Sequence, residues 1–120
     1  WRIAWDYYWF QDPRDAQILK KLNDFIVAKT AGDPTSTMLA YNYSANLDVG
    51  ADITGSVIQA HWAGAWCLTG MGTNQDWLNK CTDAFNARNM SLSSSSYFLD
   101  ILQMSMSQLL NGLYVKPAGL

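Results

Sequence analysis

The ten residues Trp1-Arg2-Ile3-Ala4-Trp5-Asp6-Tyr7-Tyr8-Trp9-Phe10 limit this chain more than any other stretch. They hold three Trp, two Tyr and a Phe, with Arg2 and Asp6 as the only charges and no turn former among them. A run apolar on every side reads as a helix buried on most of its circumference. A long buried strand is the alternative; Ala4 and the four-residue spacing of Arg2 and Asp6 favour the helix, with those two as a buried structural pair. No capping residue precedes the run, so the reading expects the end portion of a longer protein. It follows that apolar side chains of this helix should stand exposed when it is seen without the rest.

Asp12-Pro13-Arg14-Asp15 is a helix start. Asp12 fits the N-cap, Pro13 the first helical position, and Asp15 puts negative charge at the positive end of the helix dipole. Ala16, Ile18, Leu19, Leu22, Phe25 and Ile26 recur at threes and fours as one apolar stripe, and the helix ends near Thr30. From Pro34 to Thr54 no stripe continues; the segment reads as a long loop with room for one short extended pair. Loops of that length are commonly functional. Tyr41 and Tyr43 lie in it, either plugging it onto the helices or touching a ligand.

Ser56 to Met71 reads as a crowded central helix, rich in Ala60, Ala63, Gly64 and Ala65 and closed by Gly70-Met71-Gly72. Thr73 and Asp76 form a variant capping box for the next helix, whose inner face is Trp77, Leu78, Cys81, Ala84 and Phe85. The polar run Ser91–Ser96 links to a last amphipathic helix from Tyr97 to Leu110, stopped by Asn111-Gly112 before an extended tail, Tyr114 to Pro117. The fold class is therefore all-α: about five helices in antiparallel hairpins with one long loop, within a single domain spanning 1–120.

Chemistry is harder to find. Net charge is −2 without a basic run, which argues against a nucleic-acid partner, and no apolar run reaches the ~18 residues of a membrane span. Cys67 and Cys81 lie almost symmetrically about the turn at 72–74. A disulfide and two small buried thiols are both open, and the thiols are the reading preferred here. That spacing, with one His in the chain, does not suit zinc, and no cofactor motif is present. His61, on an apolar helix, reads as a core or cleft imidazole rather than a catalyst. Asp6 is the sharpest candidate acid, but a carboxylate paired with Arg2 stays ionised. All ten acidic residues are Asp.

Trp1-Arg2-Ile3-Ala4 with Asp6-Tyr7 and Trp9 resembles the "R-V-P-W-R-I-A-x-D-Y-x-W" segment of glycoside hydrolase family 8. The resemblance continues in order through nearly the whole chain. Ala40-Tyr41-Asn42-Tyr43-Ser44 resembles the family's "G-Y-x-L-x-G" loop. Ala60-His61-Trp62-Ala63-Gly64 through Gly70-Met71 is similar to its "A-x-F-x-G-P-x-x-x-G-A-M" helix. Gln75-Asp76-Trp77-Leu78 sits before the last helix, and Tyr97-Phe98 with Leu109-Leu110 and Gly112 resembles the closing pattern. Ala65 stands where the family has Pro, and Ala45 where it has Gly, which bears on cleft shape.

The resemblance implies an (α/α)6 toroid of helical hairpins that hydrolyses β-1,4-linked glucan or xylan with inversion, exported or periplasmic in a bacterium. Its general acid is a glutamate, absent from this chain, and its base aspartate precedes the tryptophan matched by Trp1. The chain would then be the C-terminal portion of such a catalytic domain, with the remainder of that domain and a polysaccharide or oligosaccharide as partners, no cofactor, and the acid and base outside it. Tyr97, matching the aromatic pair at the start of the last helix, Trp1, adjoining the base, and Tyr43 in the loop are the candidate substrate-binding rings. Trp5, Trp62 and Trp66 are assigned to the core. A free-standing helical carbohydrate-binding module and a purely structural domain are the competing readings.

Overall fold

The computed structural model describes residues 1–37, 40–41, 50–51, 60–87 and 97–119, with the backbone alone at 40, 41, 50, 51, 60–63, 85, 86 and 97–99. Helix α1 runs Arg2–Phe10, α2 Pro13–Lys29, α3 Ala60–Cys67, α4 Gln75–Asn86 and α5 Tyr97–Leu110. Short 3₁₀ turns at Pro34–Ser36 and Leu68–Gly70 follow α2 and α3. The protein is all-α. Among the described residues the one strand pairing is a two-residue antiparallel pair, β1 Ala40–Tyr41 with β2 Gly50–Ala51, where Ala40 faces Ala51 and Tyr41 faces Gly50. It falls between residues 34 and 54, where the sequence leaves room for a short extended pair.

Local signals place α2 closely. Asp12 accepts the Arg14 backbone N–H at 2.8 Å, and Pro13 opens the helix. The Arg14 side chain returns to the same carboxylate, with Nη2 2.6 Å from Oδ2. The Arg14 guanidinium and then its backbone N–H hold Asp12 down to about 2, from an ordinary 3.8. A carboxyl depressed in the folded state stabilises it above pH ~4 and loses that contribution as pH falls towards 2. The Asp12→Asn variant keeps a capping side chain without the charge. The wild type should melt higher than Asp12→Asn above pH 4, and the two melting curves should converge by pH 2. A constant difference across that range would show that the charge does not matter.

At the far end of α2, Thr30 caps the helix, Ala31 takes a left-handed φ of 51°, and the Gly32 N–H reaches back to the Val27 carbonyl at 2.9 Å. The buried line of α2 is Leu19, Asn23, Ile26 and Thr30. Ile18, expected in the stripe, is 43% exposed. It points away because the buried face is narrower than the apolar pattern.

Helix α1 needs the largest correction. Of its nine residues only Ala4 is buried; Arg2, Asp6 and Phe10 are exposed, as is Trp1 just before it, and the remaining rings are half-buried. Arg2 and Asp6 do not form a buried pair. Both face solvent, and the Arg2 guanidinium stands 5.8 Å from the centre of the Trp1 ring instead. Ala4, with no bulk beyond its methyl group, sits in the core cluster where α1 packs on α2. The helix stops at Gln11, whose φ is 55° and whose side-chain amide donates to the Tyr7 and Tyr8 carbonyls at 2.9 and 3.3 Å.

The core gathers around the second 3₁₀ turn. Leu68 and Met71 pack with Ala4, Leu19, Met106 and Leu109; beside them Ile26, Trp77, Cys67 and Cys81 form a second cluster. Helix α3 packs chiefly against α5, and α2 against both α1 and the second 3₁₀ turn. Cys67 and Cys81 are joined in a disulfide, with Cα atoms 5.7 Å apart, so the preference for free thiols is overturned. The side chains face one another across the α3–α4 turn, a matter of helix rotation that spacing leaves open. The capping expectation also moves by one residue. Asn74 accepts the Trp77 N–H at 3.0 Å, while Thr73 donates back towards Thr69 and Gly70. Gly72 has φ +68°, and the Tyr7 ring lies so close that a Cβ there would enter it. Residues 56–59, expected in the central helix, and the serine linker 91–96 lie outside the described residues.

Candidate functional site

Trp1, Trp5 and Trp9 recur every fourth residue, so α1 presents them in one row, each about 6 Å further along the axis. Trp1 stacks on Trp5 with ring centres 5.6 Å apart and planes 23° from parallel. Trp5 and Trp9 meet edge to face, 5.0 Å apart at 82°. Phe10 extends the row from Trp9 at 6.3 Å. Trp1 is 39% exposed and Phe10 52%, so both ends of the row offer ring surface to solvent.

The chain after α5 closes onto this face. Gly112, at φ +67°, lets the Leu113 N–H bond the Gln108 carbonyl at 2.8 Å and the Gly112 N–H bond that of Leu109 at 3.1 Å, which turns the chain back. Tyr8 donates its hydroxyl to the Gly112 carbonyl at 2.8 Å, and Trp9 Nε1 donates to the Tyr114 carbonyl at 3.3 Å. The Tyr114 ring enters the angle between Trp5 and Trp9, at 4.7 and 6.4 Å. Lys116 Nζ lies 4.6 Å over the Phe10 ring, a cation–π contact. Trp5 Nε1 is buried and finds no acceptor among the described residues.

Of the three candidate rings, Trp1 belongs to this row. Tyr97 is the first residue of α5, with its ring outside the described residues, and Tyr43 lies outside them altogether. The side chains of His61 and Trp62 are likewise outside. Trp66 is half-buried against Phe25 at 5.7 Å, beside the second core cluster. Trp5 is not plain core: it packs against the first cluster and is also the middle of the exposed row. Sequence reasoning missed Tyr114 and Phe10. The signal for Tyr114 was a left-handed glycine stop followed two residues later by an aromatic ring.

An open cleft of about 530 Å³ lies elsewhere, lined by 31–35 with Lys80, Asp83 and Ala84. Asp33 is occupied as a cap: it accepts the Thr35 N–H and hydroxyl at 2.8 and 2.7 Å and the Ser36 hydroxyl at 3.3 Å. The Thr35 hydroxyl, then the Thr35 N–H, hold its carboxyl below the usual range. A general acid must keep its proton near neutral pH, so Asp33 is unsuited to that role. Lys80 donates to the Gly32 carbonyl at 3.1 Å and braces the same turn. Among the described residues no three His, Cys, Asp or Glu side chains gather as a metal site, and no helix is long and apolar enough to cross a membrane. Comparison of the chain with protein-family models, curated proteins and solved structures gave no match.

Proposed function

We propose that this chain is the C-terminal part of an inverting glycoside hydrolase of the family 8 type, helping to wall a cleft for β-1,4-linked glucan or xylan. The carrying observation is the indole row of α1, with Trp1 stacked on Trp5 at the head of the motif series that resembles that family. A flat indole face suits the apolar face of a sugar ring. In this reading the five helices are hairpins of an (α/α)6 toroid, and the general acid and base lie before Trp1. The Cys67–Cys81 disulfide supports an oxidising compartment, and so export. A non-catalytic saccharide-binding module is the second reading, favoured by a row of indole rings that could stack on sugars without any chemistry.

The test uses the protein together with the sequence that precedes Trp1. It should cut soluble β-glucan or xylan and release products whose new ends first appear in the inverted, α configuration by NMR. Trp1→Ala should weaken cellohexaose binding roughly three- to tenfold, the range expected for one stacking ring. Binding without hydrolysis would select the module. Neither binding nor hydrolysis would end the saccharide reading.

A further inference from the structure

The Trp1 ring is held by its neighbours: Trp5 stacks on it and Arg2 stands over it. Trp5 is therefore the support whose rotamer decides how Trp1 is presented. Trp5 in turn meets Tyr114 at 4.7 Å and 66°, closer than it meets Trp1 or Trp9. Trp9, on the other side, is tied to the Tyr114 carbonyl through Nε1. Tyr114 reaches this place because the Gly112 turn reverses the chain and Tyr8 holds the Gly112 carbonyl. The far end of the sequence thus fixes the geometry of its first helix.

We propose that Tyr114 is a positioning residue for the saccharide platform: its ring wedges Trp5, and through Trp5 it sets the Trp1 face on which a sugar ring stacks. The ligand class rests on the hydrolase reading above; the ring geometry does not. A face fixed before binding spares the ligand the cost of ordering two indoles, so the effect falls on affinity. Tyr114 itself touches no sugar.

The experiment pairs two measurements on the protein carrying its upstream sequence. The stacked Trp1–Trp5 pair should give an exciton-coupled circular dichroism signal, assigned by its loss in Trp1→Phe. Cellohexaose affinity is read by tryptophan fluorescence. Tyr114→Ala should lose most of the exciton signal and weaken binding about two- to fivefold, no more than Trp1→Ala does, while keeping a cooperative melt. Tyr114→Phe should keep both, because the ring and not the hydroxyl makes the contact. An exciton signal unchanged in Tyr114→Ala overturns the proposal, and so does a lost signal with unchanged affinity. If the wild type binds no cellohexaose, the saccharide reading fails, and the exciton signal alone then upholds or overturns the positioning of Trp1. If Tyr114→Ala does not fold, Tyr114→Leu keeps apolar volume without an aromatic edge and is judged by the same outcomes.

Discussion

Asn23→Leu should destabilise the protein by about 3 kcal/mol, although leucine is the more hydrophobic residue and of similar size. Asn23 is 2% exposed on α2 and closes a ring of hydrogen bonds. Its Nδ2 donates to Thr69 Oγ1 at 3.1 Å, and its Oδ1 accepts from Asn74 Nδ2 at 2.9 Å. The Thr69 hydroxyl donates to the Trp66 carbonyl at 2.6 Å, which also accepts from Trp77 Nε1 at 3.1 Å. Asn74 completes the ring by capping α4 through the Trp77 N–H. Leucine supplies neither donor nor acceptor, so Asn74 Nδ2 and Thr69 Oγ1 each lose a partner beside the buried Asn23 and Thr69 positions. Each orphaned group costs about 1–3 kcal/mol, and the apolar gain offsets only part of that. Denaturant unfolding checks this through a lower midpoint at constant slope. Thr69→Val removes the same link from the other side, and the double variant should cost less than the sum of the two. A loss below about 1 kcal/mol for Asn23→Leu would mean that the ring contributes little.

That ring also shows where sequence reasoning stops. The cap, stripe and end of α2 were legible because each signal is local: Asp12, Pro13 and Thr30 act within a few residues of themselves. Asn23 reads only as a gap in the stripe, since its partners lie 46 and 51 residues away. The Arg2–Asp6 spacing was correctly read as helical and wrongly read as paired. Spacing says that two residues share a face, not that the face is buried. Thr73 and Asn74 both fit a cap by composition, and only the path of the turn decides for Asn74. At the candidate site, Trp1, Trp5 and Trp9 show their common face in the sequence itself. Tyr114 joins them only through a chain reversal at the far end, which no local pattern on α1 announces.

Removing the disulfide should cost about as much as breaking the ring, and for a related reason. Cys67 and Cys81 are 14 residues apart, and closing a loop of that size restricts the unfolded chain by about 3 kcal/mol. The enclosed segment contains the 3₁₀ turn, Gly72 and Asn74, so the bond holds the residues that carry the Asn23 ring. Cys67→Ala with Cys81→Ala also leaves space beside Ile26 and Trp77, in a cluster otherwise closed to solvent. The double variant should therefore melt roughly 10–20 °C below the wild type, and reductant should lower the wild type while leaving the variant unmoved. Combined with Asn23→Leu, the loss should fall short of additive, because both changes release the same stretch between α3 and α4. If the two losses add in full, the disulfide and the ring stabilise the fold independently. If reductant shifts nothing, the segment is held by the ring and the Trp77 packing alone.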